Sequence, residues 1–423
     1  MQHDIVSRDG AGRLVLGGVV LLELERLATP AYVYDVGAVA RGARTVEAAF
    51  DGAPHLVAYA VKANSAGPIV RALAAEGCGA DVVSGAELEV ALACGIAPER
   101  ILYSGVAKRD DEIDRALTCG PRGICAVQLE SIEELRRVAA RARALDRRAR
   151  VSIRVNPGVE RATLTTHAHI ATGHDEAKFG VPRDDVGQVI EEARAAGCID
   201  LVGLATHVGS QFTSLAPYLA ASRTLFTLAR DLIAAGTPLE FVDSGGGFGI
   251  DYGDGCPVRP ADFVRAARKE QAAAGLAHLH IHIEPGRSLV GACGVLVASI
   301  LQTKSAGGRR WVMIDAGMND LIRPALYQAK HRIVPLGPPG PADVAWRVVG
   351  PVCESSDDFG EHVLPAAGNG KVGILDAGAY GFTMASQYNG RAFPSETFLR
   401  DGRIIAESPR GSVDAWIRSR TAM

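Results

Sequence analysis

A (β/α)8 TIM barrel joined to a second, mostly β domain is the α/β fold this sequence predicts. Three observations carry the expectation. From about residue 30 to 290, short β-branched apolar runs alternate with Ala/Arg/Glu/Leu-rich stretches of helical period; the apolar runs number eight; and after about Gly291 the alternation gives way to strand-like runs separated by Gly and Pro. The eight runs are Val57 to Val61, Ala80 to Val83, Ile101 to Ser104, Ile124 to Val127, Val151 to Val155, Val202 to Thr206, Glu240 to Asp243 and Leu279 to Ile283. Between them, Ala86 to Cys94, Ser131 to Leu145 and Leu215 to Ala235 are long enough to be helices that cover the outside of the barrel. Downstream, Val295 to Gln302, Trp311 to Ile314, Trp346 to Val349, Val372 to Asp376 and Thr397 to Glu407 read as strands, and the Pro/Gly-rich stretch Leu336 to Pro341 as a surface loop. Residues 13 to 23 are strand-like too and are available to pair with the β domain. The expected division is therefore a barrel over 30–290 and a β domain over 291–423 together with 1–29.

Composition bounds the function. The chain has 423 residues, 48% of them hydrophobic, enough to bury two cores. Its 45 basic and 48 acidic residues leave a formal charge of −3, which gives no electrostatic argument for nucleic acid or an anionic membrane as partner. Arg136-Arg137 and Arg147-Arg148 lie in a helical stretch and read as a solvated face. Eight scattered cysteines form no Cys-x-x-Cys pair, so reduced thiols in a cytoplasmic protein are expected rather than a disulfide framework. The start, Met1-Gln2-His3-Asp4, lacks the basic and apolar regions of a signal peptide.

A barrel of this kind carries its chemistry at the C-terminal ends of its strands, and the polar residues collect there. The first run leads to Lys62, the sixth to His207, the seventh to Asp243-Ser244-Gly245-Gly246-Gly247-Phe248-Gly249 and the eighth to Glu284-Pro285-Gly286-Arg287. A lysine at the edge of an apolar core is a Schiff-base candidate; a snorkelling strand-end lysine is the competing reading. Glycines 245 to 247 can bring backbone N–H groups to a dianion and Arg287 adds a bidentate fork, although three glycines alone also make a tight turn. Lysine, phosphate cradle and the Glu284 carboxylate together describe a site for pyridoxal 5′-phosphate, in which Glu284 keeps the pyridine nitrogen protonated. His207 either stacks on the ring or is a core histidine.

These segments carry a resemblance. Tyr59-Ala-Val-Lys62-Ala-Asn64, His207-Val-Gly-Ser210-Gln211, Gly245-Gly-Gly-Phe-Gly249 and Glu284-Pro-Gly-Arg287 resemble the barrel motifs of the fold-type III pyridoxal phosphate-dependent decarboxylases, which have an alanine racemase-like two-domain architecture. Asp315-Ala-Gly-Met-Asn-Asp-Leu-Ile-Arg323-Pro-Ala-Leu-Tyr327, Gly350-Pro-Val-Cys353-Glu354-Ser355 and Asp376-Ala-Gly-Ala-Tyr380-Gly381 are similar to motifs of the diaminopimelate decarboxylase family, and the match runs from about residue 13 to 400 in the family's order. The resemblance implies decarboxylation of meso-2,6-diaminopimelate to L-lysine by a homodimer. It implies that Lys62 carries the cofactor, that His207 stacks on it, and that Ser210, Gly245, Gly246, Gly247, Glu284, Gly286, Arg287 and Tyr380 hold it. By the same resemblance, Arg287, Arg323, Tyr327, Glu354 and Tyr380 line the substrate pocket, and Cys353 is a general acid contributed across the dimer interface.

Each of these also has a reading from the residues alone. Arg323 clamps a substrate carboxylate or is a surface ion-pair partner; Cys353 is packing or, beside Glu354 and the Gly350-Pro351 turn, part of an exposed, shaped loop. His280 with His282, and His167 with His169, lack a third ligand at a clear spacing, so no metal is expected. Two details depart from the family pattern: a His in Thr172-Gly-His174-Asp-Glu-Ala-Lys-Phe-Gly180, and Arg391-Ala-Phe-Pro394 where Arg-Pro-x-Pro is usual. They keep open a decarboxylase of another amino acid, ornithine-, arginine- or lysine-like or carrier-tethered, in polyamine or specialised metabolism. A racemase would need a second base in place of the Cys-Glu pair, and a non-catalytic cofactor-binding protein would have no use for it.

Overall fold

The computed structural model describes residues 5–24, 27–158, 178–340, 343–366 and 368–422. Its contacts divide the chain into two units, Gly42–Gly249 with Cys256–Ser288, and Met1–Arg41 with Ile250–Gly255 and Leu289–Met423.

The first unit is a closed barrel of eight parallel strands: His55–Ala60, Gly79–Val82, Ile101–Tyr103, Ala126–Leu129, Ala149–Asn156, Ile199–Ala205, Phe241–Gly246 and His280–Glu284. Each pairs with the next, and Ile283 facing Val57 closes the ring. The helices that cover it include Gly85–Ala93, Ile132–Ala144, Ala216–Ala234 and Pro260–Ala273. The expected Ser131 to Leu145 helix begins and ends on its caps, with Ser131 Oγ accepting the Glu134 amide at 3.1 Å. The base of the barrel is filled by apolar side chains: Leu56, Ala58, Leu102, Val202 and Phe241 share one core, and Phe241 stacks on His282 at 4.1 Å. Gly203 makes room for that ring, since a Cβ there would lie 2.4 Å from it.

Strand ends differ from expectation where polar residues take part in the ladder. The fourth strand runs to Leu129 and so brings Gln128 inside. The seventh continues past Asp243 because Gly246 pairs with Glu284. The first stops at Ala60, whose amide donates to Pro285 O at 3.2 Å, and Lys62 sits in the 3-10 turn Val61–Ala63 beyond it.

In the second unit the strands run, side by side, Asp358–Pro365, Asp343–Val349, Arg309–Ile314, Gly294–Ala306, Ala31–Asp35, Ser395–Arg400 and Arg403–Ser408, with Lys371–Ile374 branching from Gly294–Ala306 and Ile333–Pro335 pairing in turn with Lys371–Ile374. Ala31–Asp35, on the barrel's side of the expected boundary at residue 30, is thus a strand of the β unit, parallel to Ser395–Arg400. The single run expected over Thr397 to Glu407 is a hairpin, because Asp401 and Gly402 both take positive φ (51° and 75°) and reverse the chain. Residues 13 to 23 do not join the large sheet. Gly17 and Gly18, at φ 57° and 79°, fold Leu14–Leu16 back on Val19–Val20, and Val6–Arg8 completes a three-stranded sheet. Leu14, Leu16 and Leu21 still share a core with Val33, Val295, Val297 and Leu399. Leu336, expected in a surface loop, is fully buried in that core, and the exposed part of the turn is Pro338 and Pro339.

Candidate active site

The C-terminal ends of the barrel strands bring a lysine, three carboxylic acids and a histidine to one rim. Lys62 Nζ donates to Asp81 Oδ2, and the Lys62 side chain is one third exposed while Asp81 is fully buried. The lysine therefore reaches an acid, not an apolar wall. Burial raises the Asp81 carboxyl, Lys62 draws it back, and the Glu284 charge adds to the rise. Glu284 accepts from Gln128 Nε2 at 3.0 Å, and its other oxygen lies 3.3 Å from His207 Nδ1. Although burial works to raise it, the hydrogen bond and charge of His207, with Lys62 and Arg154 behind, hold Glu284 down at about 2. Asp243 goes the other way, pushed well above the carboxylate range by burial and then by the Glu284 charge. It accepts from the Gly245 amide at 2.9 Å and shares Gln128 Nε2 at 3.4 Å. One rim thus holds one carboxyl drawn down, Glu284, and one pushed up, Asp243, a divergence that like charges in a buried site favour.

Arg154 steadies the histidine: its guanidinium donates to His207 O at 3.2 Å and to Glu130 at 2.9 Å, and Glu130 also accepts the Gly180 amide at 2.7 Å. The glycines are required by close approach. A Cβ on Gly245 would stand 2.3 Å from Thr206 O, one on Gly246 2.0 Å from Glu284 O, and one on Gly247 2.3 Å from Gly209 O. Gly245 and Gly247 also have positive φ, 72° and 87°. Arg287, buried beside Gly286, donates to Ser210 Oγ at 3.0 Å and so ties the loops after strands six and eight, and the neighbouring Ser288 Oγ is buried with no protein partner among the described residues. A glycine loop with no side chains in the way, a buried guanidinium and two hydroxyls fit a phosphate group; the nearby amine and the Glu284 carboxylate fit an aldehyde and a cationic ring nitrogen. The residues present fit pyridoxal phosphate.

The second unit carries the remaining residues expected from sequence. Arg323 opens the short helix Arg323–Tyr327 and is only 5% exposed, which removes the surface ion-pair reading. Its Nη1 donates to His331 Nε2 at 2.8 Å, and its guanidinium lies over the Tyr252 ring at 4.8 Å. His331 Nδ1 lies 2.9 Å from Leu375 O, so that nitrogen carries the proton and Nε2 accepts from Arg323. Tyr327 closes the same helix, and Tyr380 holds a left-handed backbone, φ 56°. Cys353 is the exposed one of the eight cysteines, all of them free thiols. Glu354 follows it and accepts from Tyr388 Oη at 2.6 Å. Burial pushes His282 down to about 3, and no group of three or more metal-ligating side chains occurs among the described residues. His167, His169 and Thr172 to Ala177 lie outside them.

Asp81, Gln128, Tyr252, His331 and Tyr388 were not singled out from sequence, and Asp243 was named at the end of strand seven without a role of its own. A lone acid in the apolar run Gly79-Ala-Asp-Val82 was a signal for the first; nothing local marks the others.

Comparison with known proteins gives a consistent result. Residues 36–291 match the family model for the pyridoxal binding domain of the pyridoxal-dependent decarboxylases. A diaminopimelate decarboxylase of Zymomonas mobilis is 37% identical over 413 residues, 96% of each chain. One from Helicobacter pylori strain J99 is 39% identical over 392 residues, 92% of this chain and 95% of that one. Among solved structures, the M. jannaschii diaminopimelate decarboxylase in co-complex with L-lysine matches all of this chain and 99% of its own at 32% identity, with a TM-score of 0.92.

Proposed function

This chain belongs to the diaminopimelate decarboxylase family, and from that premise we propose how its residues divide the work of the reaction. It is a pyridoxal phosphate-dependent carboxy-lyase that converts meso-diaminopimelate to L-lysine and carbon dioxide. Bound pyridoxal phosphate supplies an electron sink for the pair left behind as carbon dioxide departs.

Lys62 would hold the cofactor covalently through Nζ, with His207, Ser210, Gly245, Gly246, Gly247, Glu284, Gly286, Arg287 and Tyr380 around it. The observation that carries this reading is the pairing of Lys62 with Asp81 beside an ionised Glu284. Asp81 touches the lysine amine and has a raised proton affinity, so it is placed to accept a proton from Nζ. Glu284, held down by His207 to about 2, gives a cationic ring nitrogen its counter-charge. Arg323 takes the distal carboxylate of the substrate and Glu354 its ammonium, with Arg287, Tyr327 and Tyr380 lining the same pocket. Cys353 Sγ gives its proton to the carbon that loses carbon dioxide, from the partner subunit of a homodimer. The exposure of Cys353 supports that assignment, since a thiol acting on a neighbouring chain must reach the surface of its own. The free thiols agree with a cytoplasmic setting.

Product analysis tests the substrate: lysine and carbon dioxide should form from meso-diaminopimelate, with little turnover of lysine, ornithine or arginine, and preferred turnover of one of those three would replace this reading. Borohydride reduction should fix the cofactor to the wild-type protein at Lys62. A folded Lys62→Ala protein that still acquires a borohydride-fixed cofactor would remove Lys62 from its role.

A further inference from the structure

The loop that carries Cys353 and Glu354 is gripped from one side by a single short segment. Asn389 Oδ1 accepts the Cys353 amide at 2.9 Å, Tyr388 Oη donates to Glu354 Oε1 at 2.6 Å, and Arg391 Nη2 donates to Pro351 O at 3.1 Å. Asn389 reaches its partner from a left-handed backbone, φ 55° and ψ 23°, which asparagine tolerates better than most residues. The next residue, Gly390, could not carry a side chain, because a Cβ would lie 2.9 Å from the Trp416 ring. The far end of the loop is anchored by Asp357, whose oxygens accept the Val352 amide at 2.7 Å and the Met318 amide at 2.6 Å. Gly350 and Gly317 pack against that carboxylate too closely to bear side chains. The loop base is therefore fixed independently, and the segment from Tyr388 to Arg391 acts on its tip.

We propose that Tyr388 and Asn389 are positioning residues, a strap in which Asn389 fixes the backbone that aims the Cys353 thiol and Tyr388 fixes the Glu354 carboxylate. The proposal rests on the reading of Cys353 as proton donor and Glu354 as substrate contact. It adds a division of labour: the two adjacent side chains serve different steps, so their loss should damage different kinetic constants. Asn389 governs proton delivery and Tyr388 governs binding of the substrate's distal ammonium.

The test uses the holoenzyme and three variants. Asn389→Gly keeps the left-handed backbone and removes the acceptor, Asn389→Asp keeps both, and Tyr388→Phe removes one hydroxyl. In hydrogen exchange read by mass spectrometry, the Cys353 amide should exchange roughly fivefold faster in Asn389→Gly, the effect of one lost hydrogen bond, and return towards wild type in Asn389→Asp. With diaminopimelate, Asn389→Gly should lower kcat with little change in KM, and Tyr388→Phe should raise KM with little change in kcat. Unchanged exchange at the Cys353 amide in Asn389→Gly overturns the strap. So does an equal effect of both variants on both constants that Asn389→Asp fails to rescue, because that is what general loosening would give. A Cys353→Ala protein separates the premise from the proposal: full turnover there overturns the proton-donor reading, and amide exchange alone then decides the strap.

Discussion

Among single residues, the sharpest contrast is between Glu284 and Asp243, two buried acids that share Gln128 and are pushed in opposite directions. The pair predicts opposite tolerance to amides. Glu284→Gln removes the charge the cofactor needs and should lower kcat by roughly a hundredfold or more, the scale of losing a preorganised electrostatic partner. Asp243→Asn mimics the neutral form that burial favours and keeps an oxygen for the Gly245 amide, so its stability should stay within about 1 kcal/mol of wild type. Urea titration and steady-state kinetics on both variants check this, and a large loss of stability in Asp243→Asn would mean that its ionised form is the one the fold uses. The part played by Asp243 and Gln128 could not be read from sequence. Asp243 and Gln128 are lone polar residues in apolar strands, and only closure of the barrel shows that they meet. Lys62 and Glu284 were legible because strand order alone puts them on one face.

At the level of elements, the loop after strand seven and the β sheet each support a prediction. Gly246→Ala sets a methyl 2.0 Å from a backbone oxygen in a parallel ladder that cannot give way, and should cost on the order of 3 kcal/mol or more together with cofactor binding. Gly187→Ala, in the helix Val186–Ala196 with nothing within 4 Å, should instead stabilise by about 0.5–1 kcal/mol. Thermal melts and the absorbance of retained cofactor compare the two. In the β unit, burial pushes Glu396, in the strand Ser395–Arg400 with Tyr34 as partner, and Asp320, in the turn before Arg323–Tyr327, each up to about 7. Unfolded, both would release their protons near the ordinary carboxylate value, so between there and about pH 7 the folded state binds more protons. Stability should therefore fall as pH rises through that window and level off above it. Glu396→Gln should flatten its share of the slope in melts taken from pH 5 to 8; an unaltered slope would place the effect elsewhere. The barrel strands were legible from β-branched runs, but Ala31–Asp35 was not assigned to the sheet, because its partners Gly294–Ala306 and Ser395–Arg400 lie hundreds of residues away and local pattern cannot show them.

For the whole molecule, the prediction concerns assembly. If Cys353 works on the partner's cofactor, Lys62→Ala and Cys353→Ala proteins, each inactive alone, should regain activity when mixed and allowed to exchange subunits. Random pairing makes half the dimers mixed, with one intact site in two, hence roughly a quarter of wild-type activity. No recovery, with exchange confirmed by native mass spectrometry, would place Cys353 in the same chain's site. The two-domain plan was legible from the change of texture near Gly291. The interleaving of the units was not, since Ile250–Gly255 leaves the barrel for the β unit and the chain then returns, with only the brief run Ile-Asp-Tyr-Gly-Asp-Gly to mark it.

The stoppered base of the barrel has a further consequence. With Phe241 lying flat against His282 and the glycine at 203 giving the ring its berth, the strand cylinder is a cul-de-sac rather than a corridor. Whatever binds at the opposite rim therefore comes and goes from outside the cylinder, and no ligand, however small, is threaded through the barrel's axis.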